Sequence, residues 1–394
     1  MASGTRVVWD PDFSLYDFGT SHPMSPVRLE LTARLADELG LLTAPGVQVC
    51  GADVAGDALL TTVHDPGYVA AVRAASQDPG SADGAHGLGT PDGPAFRGMH
   101  EAAARVLQAS VDCADQVWAG QVEHAVNFCG GLHHAMRDRA SGFCVYNDLA
   151  AAITRLLDAG AKKVAYVDVD VHHGDGTQAM FWNDPRVMTV SVHETGRVLF
   201  PGTGFPDELG GPDAVGSAVN VALPPGTGDL GWLRAVHAVV PPLVRSFAPD
   251  VLVTQHGCDT HASDPLAHLA VSIDAQRTVA ATLHDLAHEV CGGRWLATGG
   301  GGYEIVDVVP RSWAHLIGIA VHRPVDPTTA VPQSWRDHVL QRFGRHAPER
   351  MTDGADTWWR SWEVGYDPED PVDRAVMATR KAVFSLHGLD PWFD

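Results

Sequence analysis

Tyr166-Val167-Asp168-Val169-Asp170-Val171-His172-His173-Gly174-Asp175-Gly176 runs a valine-rich strand straight into a cluster of ionisable side chains. In an extended chain alternate residues point the same way, so Asp168, Asp170 and His172 line one side and valines fill the positions between them. A strand this apolar belongs in a sheet covered on both faces, where a charge is costly unless it is paired or bound to a cation. A solvated strand end would need no such partner. Five titratable groups within residues 168–175, in an apolar setting, favour a metal instead.

Outward from this stretch, apolar strand candidates lie at 124–128, 164–169, 187–192, 251–254 and 295–298, with helical patterns at 148–159, 229–247 and 274–290. Ser25-Pro26 opens an amphipathic run through Leu29, Leu31, Leu35 and Leu39 to Gly40, with a cap, a proline at the first helical position and a closing glycine. Residues 80–94, rich in Gly, Asp and Pro, read as a loop, and 96–119 as a long helix. Strand and helix alternate, which predicts right-handed crossovers and a mostly parallel, doubly wound α/β sheet with helices on both faces. Ligands of such sheets bind beyond the carboxyl ends of the strands.

Each strand candidate can therefore be followed past its end. After 124–128 comes Gly130-Gly131-Leu132-His133-His134; after 251–254, Gln255-His256-Gly257-Cys258-Asp259; after 295–298, Gly299-Gly300-Gly301-Gly302-Tyr303. Asp170, His172 and Asp259 make a two-carboxylate, one-imidazole set that leaves an open position on Zn²⁺, Fe²⁺ or another divalent ion. His133 and His134 are candidate general base and acid, or an ordinary partly exposed pair. Asp168 and Asp175 are spaced to receive the second N–H of these histidines. Tyr303, on what four glycines suggest is a flexible turn, offers a hydroxyl to a developing oxyanion, or serves as a packing anchor.

Composition narrows the partners. Among 394 residues, 27 Lys+Arg stand against 48 Asp+Glu, a formal charge of -21, which argues against nucleic acid. No apolar run is long enough to span a bilayer, and the start MASGTRVVWDPD lacks the plan of a secretory signal, so a cytoplasmic location without membrane contact is expected. The six cysteines form no CxxC pair and read as small buried hydrophobes.

Taken in order, GGLHHA with SGFCVYND, YVDVDVHHGDG, VMTVSVHE with FPGTG, QHGCDTHASDPLA and GGGGY resemble the motif set of the zinc-dependent histone deacetylase family. YDFGTSHPMSPVRLELT and HDPGYVAAVR are similar to its bacterial acetoin-utilisation branch, and the resemblance runs over about residues 5–322. It implies the arginase-deacetylase fold. It also implies that Asp170, His172 and Asp259 bind zinc, that His133 pairs with Asp168 and His134 with Asp175, and that His134 is the main proton shuttle. Tyr303 becomes the hydroxyl that polarises the carbonyl, while Gly142, Phe143, Phe200 and Leu266 line a tunnel for an acyl-lysine stem. Ser191 and the backbone of Asp168, Asp170, His172 and Val192 fall where the family binds potassium. Arg28 matches a basic residue beside the cavity that handles acetate, and Asp92 the rim carboxylate that holds the substrate backbone; as a loop-turn aspartate Asp92 would need no such role. His261 stands where related binuclear manganese hydrolases carry a second carboxylate, so a second metal there is the minor expectation.

The resemblance divides the chain into a catalytic domain at 1–322 and a Trp-rich extension at 323–394, whose tryptophans are expected to pack on the main body. The expected activity is metal-dependent removal of acetyl groups from lysine side chains of proteins. Two other readings stand beside it: a deacetylase of small cationic amides such as acetylpolyamines, and a non-catalytic acetyl-lysine binding module. Oligomeric state leaves no mark in the sequence.

Overall fold

Valine, isoleucine and leucine runs flanked by glycine are buried on both faces when helices cover a parallel sheet, and that is where the apolar stretches lie. The computed structural model describes residues 4–394. Its strands are β1 (Thr5–Val8), β2 (Val47–Cys50), β3 (His124–Asn127), β4 (Val164–Asp168), β5 (Val187–Glu194), β6 (Ala218–Leu223), β7 (Val251–Gln255) and β8 (Trp295–Thr298). They form one sheet in the order β2-β1-β3-β8-β7-β4-β5-β6, every pairing parallel. Strands β3, β4, β5, β7 and β8 are buried along their whole length.

All five expected strands are present, and the helix expected at 229–247 spans Asp229–Phe247. The long helix starts at Met99 rather than 96, because Gly98 takes a left-handed φ of 85° that the helix cannot incorporate. The first helix runs Val27–Glu38 with Pro26 at its cap. Strands β1, β2 and β6 and the helices Pro66–Gln77, Val309–Ala320, Gln333–Phe343 and Pro371–Val383 had no counterpart in the sequence reading.

The segment after residue 322 is held by polar groups as much as by tryptophans. Trp335 is fully buried and donates from Nε1 to the Leu31 carbonyl at 3.0 Å. The helix Pro371–Val383 lies against β6, where the Thr379 hydroxyl donates to the Asn220 carbonyl at 2.6 Å. Asp373, buried, forms an ion pair with buried Arg234 on Asp229–Phe247. Arg234 also donates to the carbonyls of Arg360, Ser361 and Gly365 at 2.7, 2.8 and 2.8 Å and lies over the Trp362 ring. Trp358 and Trp392 stay 64% and 47% exposed, so the tryptophans do not all pack inward. Among the described residues no helix is long and apolar enough to cross a membrane.

Removing one partner of a buried pair strands the other charge. Asp373→Ala should lower unfolding free energy by about 3–5 kcal/mol, read from the urea midpoint, whereas Trp358→Ala should stay within about 0.5 kcal/mol of the parent. Equal midpoints for all three proteins would remove Arg234–Asp373 as the tail's anchor.

Candidate functional site

Strands β3, β8, β7 and β4 are neighbours in the middle of the sheet, so the four loops leaving their carboxyl ends meet over one point. There the Nδ1 atom of His172 lies 3.1 Å from Asp170 Oδ1 and 3.1 Å from Asp259 Oδ2, and all three residues are buried. The free carboxylate oxygens are met by donors. Asp170 Oδ2 accepts from Gln255 Nε2 at 2.7 Å and from the Gly301 amide at 2.8 Å, and Asp259 Oδ1 accepts from the Val171 amide at 3.0 Å. A Cβ on Gly257 or Gly301 would fall 1.9 Å from an oxygen of Asp170 or Asp259, so only glycine lets the backbone come this close.

The electrostatics call for a cation. Burial and the neighbouring Asp170 charge push the Asp259 carboxyl above its ordinary range. Burial alone would depress His172, but its bonds to Asp170 and Asp259 and their charges hold it up at about 10. Two carboxylates compete for one imidazole proton, and the ligand atoms of this trio lie within 4.8 Å of one another. Two oxygens and one nitrogen at that spacing fit a divalent ion with an open position.

Asp168, expected on the same side as Asp170 and His172, points elsewhere: β4 ends at Asp168, and the alternation ends with it. Its Oδ2 accepts from His133 Nδ1 at 2.7 Å and from the Tyr166 hydroxyl at 2.5 Å. His134 Nδ1 lies 2.6 Å from Asp175 Oδ1. The two rings meet through their Nε2 atoms, 3.0 Å apart. Burial would lower both, but Asp168 and Asp170 carry His133 up to about 9, whereas burial and the adjacent His133 leave His134 at about 4.

The loop carrying these histidines is pinned by groups the sequence reading did not single out. Asp148, buried at the start of its helix, accepts from the amides of Gly131 at 3.1 Å and Leu132 at 2.7 Å. Asn147 caps the same helix through the Ala150 amide at 2.9 Å and donates to the His133 carbonyl at 3.1 Å. Their signal was an Asn-Asp pair at a helix start, and that of Gln255 a polar side chain closing an apolar strand. Tyr166 stands two residues before Asp168, on the same face of β4.

Above the trio opens a cavity of about 190 Å³, walled by Gly142, Phe143, Phe200 and Leu266 with His134, His172 and Tyr303 at its inner end and Asp92 also lining it. All four expected tunnel residues are thus brought together. Phe143 holds a left-handed φ of 66°, its carbonyl accepts from the Tyr16 hydroxyl at 2.8 Å, and its ring meets Tyr303 edge-on at 5.7 Å. Burial, with the charges of Asp259 and Asp170, raises the Tyr303 hydroxyl well above its ordinary pKa. The Tyr303 amide donates to Asp264 Oδ2 at 2.9 Å, while Asp264 Oδ1 takes the Leu266 amide at 2.9 Å.

The glycine turn before Tyr303 is packed rather than flexible. Gly300 abuts Gln255 and Gly301 abuts Asp259, and Arg28 donates from Nη1 to the carbonyls of Gly300 at 2.8 Å and Gly302 at 3.1 Å. Close approach, not mobility, is what the four glycines supply. Arg28 is buried and also lines a small cavity of about 10 Å³ with Tyr16, Cys129 and Leu132. Ser191 pairs with Asp168 across β4 and β5, and its hydroxyl lies 2.7 Å from His193 Nδ1; Val192 follows on β5. His261 is not among the ligands. Its Nε2 is engaged by Asp353 Oδ2 at 2.9 Å, which removes it from a second metal centre.

Comparisons with known proteins bear on the family and the fold. The histone deacetylase domain model matches residues 22–320. The acetoin utilization protein AcuC of Bacillus subtilis (strain 168) is 38% identical over 376 residues, covering 95% of this chain and 93% of that protein. AcuC of Staphylococcus xylosus is 36% identical over 337 residues, covering 85% and 87%. The crystal structure of the HDA15 HD domain superposes with a TM-score of 0.71 at 30% identity, covering 80% of this chain and 90% of that one. The fold is the arginase-deacetylase fold.

If Gln255 supports the ligand Asp170, Gln255→Ala should weaken divalent metal at this site by ~10–100-fold, and Asp259→Asn, which removes a ligand charge, by more than about 100-fold. Chelator competition measures both. A Gln255→Ala protein that holds metal as tightly as the parent would sink the supporting role.

Proposed function

The chain belongs to the histone deacetylase family, and from that premise we propose that it hydrolyses the acetyl-lysine amide of proteins, releasing acetate. The observation that carries this is the coincidence of three things at one point: the Asp170, His172, Asp259 trio, two histidine–carboxylate dyads, and Tyr303 at the floor of an apolar tunnel. A divalent ion, Zn²⁺ or Fe²⁺, held by that trio supplies Lewis acidity toward the amide carbonyl and toward water.

The remaining roles fall to the chain itself. Phe143 and Phe200 present ring faces and edges to a four-methylene stem, and desolvating that stem orders the amide at the tunnel floor. Tyr303, kept protonated by its buried setting, donates its hydroxyl to the carbonyl oxygen as charge develops there. His134, oriented by Asp175, takes the proton of the attacking water and returns one to the leaving lysine nitrogen. His133, charged beside Asp168, holds positive charge next to that transfer. Asp92 at the rim receives backbone N–H groups of the substrate. Potassium on Ser191 and the carbonyls of Asp168, Asp170, His172 and Val192, and an acetate path past Arg28, complete the reading, with 1–322 as the catalytic domain and 323–394 as its extension. We place the activity in the cytoplasm.

The net charge of -21 gives acetylpolyamines a place as a second substrate class, although the tunnel lining holds only Asp92 as a carboxylate besides the floor. Turnover of an acetyl-lysine peptide should exceed that of acetylspermidine and vanish with chelator. The reverse preference would favour the small amide, and no turnover of either a binding module.

Tyr303→Phe deletes one hydroxyl and keeps the ring. We expect kcat to fall by ~10²–10³, about 3–4 kcal/mol, with metal content unchanged. A loss within about threefold would make Tyr303 a packing residue only. Asp175→Asn should likewise leave metal nearly intact and lower kcat, since His134 loses the acceptor that fixes its tautomer; an unchanged kcat would detach Asp175 from the proton transfer.

A further inference from the structure

At the opposite edge of the sheet, where β3 begins, four histidines converge that the proposed reaction does not use. His124 opens β3, His284 and His288 lie one turn apart on the helix Ile273–Cys291, and His322 follows the helix Val309–Ala320 with a left-handed φ of 55°. One ring nitrogen from each lies within 4.8 Å of the others. His124 is fully buried and the other three reach the surface, so the cluster opens to solvent on one side.

The hydrogen bonds decide which nitrogens face inward. His124 Nδ1 lies 2.8 Å from the Ala320 carbonyl, which can only accept, so Nδ1 carries the proton and Nε2 is a lone pair. That buried Nε2 has no hydrogen-bond partner. His284 Nδ1 lies 3.0 Å from Asp285 Oδ1 and must donate to it, which makes its Nε2 a second lone pair. His322 Nε2 lies 3.3 Å from Glu123 Oε2, leaving its other nitrogen bare, and His288 Nδ1 is 3.7 Å from Glu123 Oε1. Oxygen acceptors on the outward N–H groups are what metal-binding imidazoles characteristically have. His284 Nε2 and His288 Nε2 are 3.2 Å apart, and tetrahedral zinc with Zn–N of ~2.0–2.1 Å requires a ligand spacing of about 3.3 Å.

We propose that His124, His284, His288 and His322 form a second metal site, independent of the catalytic one, that binds a borderline transition-metal cation of the Zn²⁺ class. An all-imidazole set excludes Mg²⁺ and Ca²⁺, and Glu123 and Asp285 supply compensating charge from outside the ligand shell. A bound ion ties the start of β3 to two helices and to the turn from which the C-terminal extension departs. Four closed ligands far from the tunnel mark it as a structural clasp rather than a centre of reaction.

Metal counting on the full chain tests this. Stripped protein is titrated with Zn²⁺ against a chromogenic chelator, alongside His284→Gln/His288→Gln and Asp259→Asn. The parent should take two tight equivalents and each variant one, and the double histidine variant should keep deacetylase turnover within about twofold while Asp259→Asn loses it. His322→Asn, on an exposed turn, gives a second variant that folds readily and should weaken one equivalent by at least about tenfold. A parent that binds one equivalent, or histidine variants that still bind two, overturns the proposal. Neither result bears on the catalytic trio, which Asp259→Asn reports by itself.

Discussion

Carboxylates buried side by side at the ends of parallel strands are the constraint to which the rest of this molecule answers. Asp168, Asp170 and Asp259 are at most 1% exposed. Unpaired, such groups would protonate or refuse to fold inward. The structure meets them with amide donors from Val171 and Gly301, the Gln255 amide, the Tyr166 hydroxyl and the imidazoles of His133 and His172. The glycine-rich turns follow from the same demand, since any Cβ at Gly257 or Gly301 would occupy the space of a carboxylate oxygen. Arg28 and Asp148, both buried, then hold the two turns from behind.

Much of this was legible in the sequence because the sheet is parallel. Strands buried on both faces read as unbroken apolar runs, and a parallel sheet sends every carboxyl end to one edge. That Asp170, His172, Asp259, the two histidine–carboxylate pairs and Tyr303 meet at one edge could therefore be read by walking off four strands. What stayed hidden lacked that signature. Strand β2 is a four-residue edge strand with partly exposed side chains, β1 contains Thr5 and Arg6, and β6 is interrupted by Asn220. The helix Val309–Ala320 is buried at every position but Ser312, so no polar face marks its period. The misreading of the tetraglycine turn has a related cause: glycine permits both mobility and close approach, and only the neighbours Gln255 and Asp259 decide between them.

The extension after residue 322 is tied in by charges rather than by its tryptophans alone. Asp353 takes the Arg311 guanidinium at 2.9 Å, the Ile273 amide at 2.9 Å and His261, and these contacts, His261 first, hold its carboxyl well below the usual carboxylate range against the effect of burial. His261 sits in the same loop as Asp259 and Asp264, so the segment is bonded to the loop that carries them. Both ring nitrogens of His261 are thereby engaged, Nε2 by Asp353 and Nδ1 by the Ser263 amide at 3.0 Å.

The two dyads differ although their chemistry is the same. Each is an imidazole whose Nδ1 faces a buried carboxylate, at 2.7 and 2.6 Å. The asymmetry comes from what lies beyond: His133 also feels Asp170, while His134 has His133 against its Nε2 and Phe200 edge-on at 5.0 Å. Two nitrogens 3.0 Å apart hold one proton between them, so its position belongs to the pair and not to either ring. A cation held by Asp170, His172 and Asp259 would partly cancel the carboxylate charge that favours a proton on His133. His134 lines the cavity, so the ring that faces it is the one whose protonation the neighbouring ring influences. The adjacent histidines thus titrate as one unit, with Asp168 and Asp175 accepting from the two outer N–H groups and a single proton shared between the inner nitrogens.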